Sequence, residues 1–413
     1  MTRYLQEKVS KAPLFRNKPS PLLGLVVVIP CCNEPHLLLS LMALQRCQSP
    51  DCDVEVIVVV NDAENAPEAV KRQNRATCEQ ALKWAQQNSN SRLRFLIHYE
   101  ADMPKKHAGV GLARKTGMDE ACFRFAKAGV EDGVIVCFDA DSRCDENFLR
   151  EIHRHFTAHP ECPACSIYFE HPLSGADFEP EVYEAIARYE LHLRYYVAAQ
   201  RWAGLPHAFQ TIGSSMAVRS NAYQQQGGMN RRKAGEDFYF LHKFIPLEGF
   251  AELNSTRVIP SPRPSDRVPF GTGKAVGKIL KNKGRLLTYH PEGFIQLRDF
   301  LRQDLYNCPP EELNLPPLLR QFFASQNFSE KWAEIKSHTA TERTFRQRFF
   351  RWFDAFMVMK YVHFIRDKGY PDVPVEEAAA WLMNEMTTMQ HGASAVELLN
   401  WYREKYRGGW ALQ

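Results

Sequence analysis

Two carboxylates, Asp139 and Asp141, stand one residue apart directly after a short apolar run. The run at 133–138 contains Val, Ile, Cys and Phe and is typical of a strand buried on both faces of a parallel sheet. In open α/β sheets, ligands bind beyond the carboxyl ends of the strands. Two carboxylates there repel each other unless a cation lies between them or one keeps its proton. The spacing therefore predicts a site for Mg²⁺ or Mn²⁺, which prefer oxygen ligands.

A structural role is the alternative for part of this pattern. Asp141 and Ser142 have the residue types that cap helices, and the next helix is predicted to begin near Glu146. One cap does not require Asp139, however, so capping alone explains only half of the pair.

A second acidic pair, Glu236 and Asp237, opens a stretch that is predicted to be helical. The helix dipole favours carboxylates in a first turn, so this pair has a structural alternative too. In a chain with both pairs, the first could hold a Lewis-acid metal and the second could supply a general base.

Two basic segments have the charge to bind phosphate. The segment 105–115 contains Gly109 and Gly111 and enters a predicted helix, whose N-terminal amides favour anions. A solvated basic helix start is the alternative for it. The segment 263–285 has seven basic residues against the single acid Asp266 and is predicted to be a mobile loop that can close over phosphate. Neither segment has the spacing of a dinucleotide fingerprint or a P-loop.

Alternating strands and helices are predicted to position these residues. Strands are predicted at 22–30, 54–60, 93–99, 133–138, 165–169, 208–219 and 256–260. Helices are predicted at 36–47, 66–87, 148–159 and 180–201, in a stretch ending near 128, and over most of 293–413. This alternation implies parallel strands joined by right-handed crossovers. The aromatic stretch 345–368 is expected to be a buried helix rather than a membrane or partner surface.

The composition is that of a soluble globular protein. The 413 residues are 45% hydrophobic and 24% charged, enough for two domains or for one large core with an appendage. A net charge of +4 is too small to predict nucleic-acid binding. No run approaches the ~20 apolar residues of a membrane-spanning helix. Any membrane contact is therefore expected to be peripheral.

The eleven cysteines are odd in number and lie mostly in apolar runs, which favours a reducing compartment over a disulfide framework. The first 18 residues are polar and basic, without the apolar core of a secretory signal. A cytoplasmic location is therefore expected. Cys162 and Cys165 lie near several histidines, but a structural zinc site needs a second ligand pair and none follows.

Several segments together resemble the motifs of the GT-A glycosyltransferases, most closely the inverting members of family two. Each motif is weak alone, but their common order is specific. The resemblance covers roughly 22–260 and leaves out the helical C-terminal third. The matching segments are the strand end Pro30-Cys31-Cys32-Asn33-Glu34, the pair Asn61-Asp62, Gly109–Gly117 with Lys115 in place of an Asn, the D-x-D of Asp139-Ala140-Asp141, the glycine segments Gly213-Ser214-Ser215 and Gly227-Gly228, and the pair Glu236-Asp237.

The resemblance implies an α/β fold of the GT-A type, with a Rossmann-like, mostly parallel central sheet flanked by helices and a helical C-terminal region. It implies an N-terminal extension at 1–20, a catalytic domain at 21–270, and a basic loop with helices at 271–413. The implied activity is that of a hexosyltransferase: metal-dependent transfer of a sugar from a nucleotide-diphosphate sugar to an acceptor hydroxyl, with inversion. The acceptor stays open between a glycan, a lipid-linked molecule and a small molecule.

The resemblance also implies residue roles. Asp237 would deprotonate the acceptor and Glu236 would shape the acceptor pocket. Asp141 would hold the metal, while Asp139 would face the ribose and share the metal site. The residues expected around the nucleotide sugar are Pro30, Asn33, Glu34, Asp62, Arg114, Asp139, Ala140 and Ser214.

Arg263 and Arg267 are assigned from charge and position rather than from a motif. They follow the last predicted strand, where two guanidinium groups could clamp a diphosphate. Asp266, between them, is an alternative additional metal ligand.

Four other functions remain as alternatives. A retaining GT-A enzyme also carries a D-x-D and a later acid pair. A sugar nucleotidyltransferase of the same fold would have a Gly-rich loop after the first strand, which is missing here. A haloacid-dehalogenase-type phosphohydrolase would carry its D-x-D at the first strand, with the first Asp as nucleophile. A non-catalytic nucleotide-binding scaffold would have no need of Asp139, Asp141 and Asp237.

Overall fold

The computed structural model describes residues 2–9, 13–387 and 394–409. Its strands are β1 (Leu23–Cys31), β2 (Asp53–Ala63), β3 (Leu93–Met103), β4 (Val134–Cys137), β5 (Arg143–Cys144), β6 (Ala164–Phe169), β7 (Met216–Arg219), β8 (Ala251–Ile259), β9 (Leu287–Thr288) and β10 (Val373–Pro374). Its helices are α1 (Arg3–Glu7), α2 (Leu37–Gln45), α3 (Glu68–Asn88), α4 (Val110–Ala128), α5 (Phe148–Ala158), α6 (Pro180–Trp202), α7 (Ser220–Gln225), α8 (Glu236–Leu241), α9 (Thr272–Lys281), α10 (Pro291–Leu301), α11 (Pro317–Ser325), α12 (Phe328–Ser337), α13 (Glu342–Trp352), α14 (Ala355–Lys368), α15 (Val375–Met386) and α16 (Ala395–Arg407).

The chain divides into two compact units. The first unit consists of Met1–Phe178 and Thr211–Gly277, and the second of Glu179–Gln210 and Lys278–Gln413. Helix α6 therefore groups with the C-terminal helices, although the sequence analysis includes it in the segment 21–270. The domain boundaries at 20 and 270 stay predictions.

The first unit is built around a sheet with the strand order β3-β2-β1-β4-β7-β6-β8-β5. Strands β3, β2, β1 and β4 are parallel neighbours, and β6 and β8 are also parallel. Strand β7 runs antiparallel to β4 and β6, and β5 runs antiparallel to β8. The sheet is thus mostly parallel with helices between its strands, which confirms the α/β fold class.

Buried strands in register bring the polar segments to one edge. The central parts of β1 and β2 are runs of Val, Ile and Leu with almost no exposed surface, as expected for strands covered on both faces. Cys31 pairs with Val60 in the parallel register, and Val28 pairs with Cys137. Because these strands run in the same direction, the segments that follow them leave the sheet at the same edge.

Three sequence predictions need correction. The predicted strand at 208–219 forms only its last part, as β7, because the residues before it include the turn Ile212–Ser215, in which Ser215 donates to Ile212. The predicted mobile loop at 263–285 contains helix α9. The predicted helix at 345–368 is two helices, because Asp354 caps α14 by accepting a hydrogen bond from the Met357 backbone at 2.8 Å.

The second unit is helical, with one short antiparallel strand pair, β9 and β10. Its core is aromatic: the rings of Phe300 and Phe323 are 4.9 Å apart, and those of Phe349 and Phe353 are 5.8 Å apart. The buried Phe345, Phe349 and Phe353 confirm that the aromatic stretch is core. Across residues 2–9, 13–387 and 394–409, the helices are too short or too polar to cross a membrane.

Candidate active site

Arg114 links the two acidic pairs that the sequence analysis singles out. It lies on α4 with only 1% of its surface exposed, and its Nη2 donates to Oδ1 of Asp139 at 2.6 Å. Its Nη1 donates to Oε1 of Glu236. Burial lowers the pKa of Arg114, but Glu236 and Asp139 raise it more, so the net shift is upward. The guanidinium group therefore stays charged and holds the D-x-D segment against the start of α8.

The first turn of α8 places Asp237 beside this network. Gly235 precedes the helix with a φ of 67°, a conformation that glycine adopts without a steric penalty. Oδ1 of Asp237 accepts a hydrogen bond from the Phe238 backbone at 2.8 Å. Burial raises the pKa of Asp237, and the charge of Arg114 opposes this effect. Such a carboxylate is more basic than an ordinary aspartate, as a general base requires.

The neighbouring Glu236 is more deeply buried, with 3% of its surface exposed. Burial raises the pKa of Glu236 to about 7. The negative charge of Asp237 also raises this pKa, whereas the positive charge of Arg114 lowers it. Near neutral pH, Glu236 thus retains a proton part of the time, which reduces its repulsion of Asp237.

Gly213 packs directly against the side chains of Arg114 and Asp237. A Cβ atom at this position would lie 2.9 Å from Nη1 of Arg114 and 3.1 Å from Oδ2 of Asp237. Arg114 cannot move away cheaply, because it is buried and paired with two carboxylates. The position therefore requires glycine for space rather than for backbone conformation.

We expect Gly213→Ala to lower the free energy of unfolding by about 1–3 kcal/mol, the usual cost of overpacking. We also expect it to lower transfer activity, because Arg114 and Asp237 must both shift. Urea unfolding and an activity assay measure the two effects. Gly277→Ala is the matched control, since a Cβ at Gly277 would meet no atom within 4 Å. Equal behaviour of the two variants would contradict this account of the site.

Glu34 and Asp141 form a second cluster with two arginines. Arg263 donates to Oε1 of Glu34 and to Oδ2 of Asp141, both at 3.3 Å. Arg267 donates to Oε2 of Glu34 at 3.2 Å and to Oδ2 of Asp141 at 3.1 Å. Burial raises the pKa of Asp141, and the opposing effect of the arginines is partial. The two arginines assigned from charge and position thus contact Asp141 of the D-x-D.

Asp62 lies in a third polar group at the ends of β2 and β3. Its Oδ1 accepts from the Asp102 backbone at 3.1 Å, and its Oδ2 accepts from the hydroxyl of Tyr99 and from Nδ2 of Asn74 at 3.4 Å. Asn74 also accepts from the Asn33 backbone at 2.7 Å. The structure therefore joins the predicted residues Asn33 and Asp62 through one buried amide.

Sequence analysis missed Asn74 and Tyr99. Asn74 is fully buried on α3. An asparagine is unfavourable inside a helix, so its position within the predicted helix 66–87 is the signal in the sequence that could have identified it. Tyr99 lies near the carboxyl end of the predicted third strand, the end at which ligands bind.

The remaining predicted residues have simpler surroundings. Pro30 is buried in β1 and paired in register with Val59. The carbonyl of Ala140 accepts from Oγ of Ser40, on α2, at 2.8 Å. Ser214 is buried and its Oγ lies 3.3 Å from that of Ser215.

The contacts decide the capping alternative for Asp141 and Ser142. Helix α5 has Asn147 at its N-cap, so Asp141 and Ser142 do not cap it. Asp266 is exposed and pairs with Lys274, and its role as an additional metal ligand stays a prediction.

The network around Arg114, which is the first cluster, and the second cluster together contain more acidic side chains than arginines. The acids outnumber the arginines even when Glu236 keeps its proton, so a divalent cation would be favoured there. Within the described residues, no three His, Cys, Asp or Glu side chains are grouped closely enough to hold a metal by themselves. The members of the two clusters are the acids Glu34, Asp139, Asp141, Glu236 and Asp237 and the arginines Arg114, Arg263 and Arg267.

The solved structures that resemble this chain include distant ones. The structure of S. aureus TarS 1–349 in complex with UDP-GlcNAc is 13% identical, with coverage of 94% of this chain and 92% of that chain, and a TM-score of 0.41. The structure of the same TarS fragment in complex with UDP is 12% identical, with the same coverage and a TM-score of 0.38. Similarities at this level are too low to indicate a shared function.

No curated protein sequence matches the chain significantly. Residues 134–305, however, match the family described as glycosyl transferase family group 2. This region includes the D-x-D, the E-D pair and both arginines of the second cluster. The match confirms the resemblance to the family-two glycosyltransferases and identifies residues 134–305 as a glycosyltransferase segment of that group.

Proposed function

We propose that this protein moves a sugar from a nucleotide-diphosphate sugar to an acceptor hydroxyl, with inversion and with a divalent metal. The observation that carries the proposal is the buried Arg114, which joins Asp139 of the D-x-D to Glu236 and sets Asp237 beside both. The carboxylate that is proposed to face the donor, Asp139, and the one that is proposed to act as the base, Asp237, then belong to one network around Arg114. Glycosyl transfer by direct displacement needs both functions within reach of one anomeric carbon.

Asp237 is proposed as the general base. Its raised pKa makes it a better proton acceptor, and its Oδ1 is fixed by the Phe238 backbone. The acceptor hydroxyl would give its proton to Asp237 while its oxygen attacks the anomeric carbon. The bond from that carbon to the diphosphate oxygen breaks in the same step. Glu236 is proposed to shape the acceptor pocket and to keep Arg114 in place.

The donor diphosphate is proposed to bind at the second cluster. Guanidinium groups bind carboxylates and phosphates with the same two-pronged geometry. Arg263 and Arg267, which here pair with Glu34 and Asp141, could therefore turn to the diphosphate when the donor binds. Asp62, Asn33 and the other predicted contacts would then surround the nucleoside. Pro30, Ala140 and Ser214 would line the same pocket.

The residues at the D-x-D fit a divalent metal. Asp141 and Asp139 offer carboxylate oxygens, and Mg²⁺ is commonly held by one or two carboxylates together with substrate phosphates. A bound metal would neutralise charge on the departing nucleotide diphosphate. Asp141 and Asp139 would orient it, and the arginines would release Asp141 for this purpose.

We expect Arg267→Met to weaken binding of the nucleotide diphosphate by about 10- to 100-fold, the value of one or two hydrogen bonds to a charged group. Isothermal titration calorimetry measures this change. Lys274→Met is the matched control, because Lys274 lies on the same segment but pairs only with the exposed Asp266 among the ion pairs described here. Unchanged affinity in Arg267→Met would remove the arginines from the donor site.

The activity is tested by the release of nucleotide diphosphate from a panel of nucleotide sugars, with and without Mn²⁺, and with glycans, lipid-linked acceptors and small molecules. The proposal expects release from at least one donor that depends on metal and is stimulated by an acceptor. Release of pyrophosphate from a nucleoside triphosphate and a sugar phosphate would instead indicate a nucleotidyltransferase. Binding of nucleotide without turnover by any acceptor would indicate a scaffold.

We further propose that the reaction takes place in the cytoplasm. The eleven cysteines are all free thiols in this structure, and a reducing compartment maintains them in that state. Contact with a membrane, where a lipid-linked acceptor would lie, is proposed to be peripheral.

A further inference from the structure

Two cysteines outside the proposed site lie next to each other. Cys47 follows helix α2, and Cys144 is the last residue of β5. Their sulfur atoms are 3.7 Å apart, and both residues are half-buried. The two thiols are 97 residues apart in sequence, so the fold alone brings them together.

The pKa of Cys47 is lowered from its ordinary value by several neighbouring groups. A hydrogen bond from Cys144 lowers the pKa of Cys47, while burial opposes this. The backbone N–H groups of Leu149 and Phe148 lower the pKa further, and the charge of Glu146 raises it. Thiolates at the N-termini of helices are the reactive form of cysteine in many proteins.

The sulfur of Cys47 lies beside the segment that precedes the N-cap of helix α5, since it contacts the carbonyl of Asp145. Phe148 and Leu149 are the first two residues of α5, an eleven-residue helix. The N-cap residue, Asn147, makes no side-chain hydrogen bond to the helix. The Phe148 N–H donates to the Asp145 carbonyl at 3.0 Å. The sulfur of Cys47 lies 3.4 Å from the Ala43 carbonyl and 3.8 Å from the Asp145 carbonyl, which accept from its S–H group.

Cys144 has the opposite character. The hydrogen bond to Cys47 and burial both raise its pKa, so it remains a thiol when Cys47 is ionised. A thiolate beside a neutral thiol is the arrangement in which one cysteine reacts with an oxidant and the second resolves the product.

We propose that Cys47 and Cys144 form a reversible oxidation site, in which peroxide converts the adjacent thiols to a disulfide. The thiolate of Cys47 attacks one peroxide oxygen, the O–O bond breaks, and the leaving oxygen takes up a proton as water. The product is a sulfenic acid on Cys47. The sulfur of Cys144 then attacks the Cys47 sulfur, the S–O bond breaks, and the hydroxyl leaves as a second water with the Cys144 proton. A dithiol reductant reverses the reaction by thiol–disulfide exchange.

The segments to be joined are already held together. The Gln48 backbone donates to the Glu146 carbonyl at 2.7 Å, directly beside the cysteines. On the other side, Ser40 of α2 donates to the carbonyl of Ala140. The disulfide would thus add a covalent link between two segments that hydrogen bonds already connect. The proposal does not depend on glycosyl transfer, and its test needs no turnover assay.

The test treats the full-length folded protein with a low dose of hydrogen peroxide, blocks the remaining thiols, and maps peptides without reductant. We expect one disulfide between Cys47 and Cys144, a decrease from eleven to nine free thiols per chain, and full recovery with dithiothreitol. In Cys144→Ser, we expect a sulfenic acid on Cys47 that dimedone traps.

Cys308→Ser is the matched control, because Cys308 is also half-buried but has a raised pKa. This variant should form the same disulfide as the wild type. In the wild type, iodoacetamide should modify Cys47 about tenfold faster than Cys308, as its greater thiolate character requires. Oxidation of Cys308 or Cys32 before Cys47, or a Cys47 that goes to sulfinic acid without linking to Cys144, would overturn the proposal.

Discussion

Replacing Asp237 with asparagine is expected to lower the rate constant for sugar transfer by about 10²–10⁴-fold, the usual contribution of a general base. An amide has nearly the same shape as the carboxylate and cannot accept the acceptor proton. Affinity for the nucleotide diphosphate should change little, because the donor is assigned to Asp141 and the arginines of the second cluster. Steady-state kinetics with saturating donor measure the first effect, and calorimetry measures the second.

Asp177→Asn is the control for this substitution, since Asp177 is exposed and pairs with Arg143 at 3.2 Å on the surface. We expect it to retain full activity. An active Asp237→Asn variant would show that another group accepts the proton. A variant that lost donor binding instead would place Asp237 in the donor site.

Replacing Arg114 with methionine is expected to have the largest effect on stability. It removes the partner of the buried Glu236, and the loss of one member of a buried ion pair costs about 3–5 kcal/mol. The substitution should also separate Asp139 from the start of α8 and abolish transfer. Urea unfolding gives the change in the free energy of unfolding.

Two further variants distinguish electrostatics from lost packing. Arg143→Met removes an exposed arginine paired with Asp177 and should cost less than about 1 kcal/mol, as surface pairs do. Adding Glu236→Gln to Arg114→Met should recover part of the lost stability, because it removes the unpaired buried acid. If the double variant were no more stable than Arg114→Met, lost packing rather than charge would account for the cost.

The parts of the fold that follow from local pattern were predictable. The apolar runs that became β1, β2 and β4 are continuous because both faces of a parallel strand are buried, and their polar ends mark the sheet edge. Asp139 and Asp141 were singled out for the same reason, whereas Glu34 was singled out by the resemblance of its segment to a family motif. The roles given to them in binding or catalysis stay predictions.

The parts that depend on distant contacts were not predictable. The antiparallel direction of β7 is set by its partners β4 and β6, and the four residues of β7 show no sequence pattern that would predict it. Helix α9 was not predicted because the segment around it is cationic and rich in Gly and Pro, a composition typical of a loop. The contact of Arg114 with Glu236 spans 122 positions, and Asn74 carries no motif at all. Arg263 and Arg267 were assigned to a diphosphate from charge and position, and this role stays a prediction. Their pairing with Glu34 and Asp141 could only be seen in three dimensions.

Direct displacement with Asp237 as base requires the first-formed product to have the opposite anomeric configuration from the donor. Proton NMR during the reaction reads this configuration from the coupling of the anomeric proton, with the acceptor or with water as the attacking hydroxyl. We predict that the first-formed product has the inverted configuration. We also predict that the Asp237→Asn variant forms this product at a strongly reduced rate. Retention of the donor configuration would contradict the proposed single displacement and the role of Asp237.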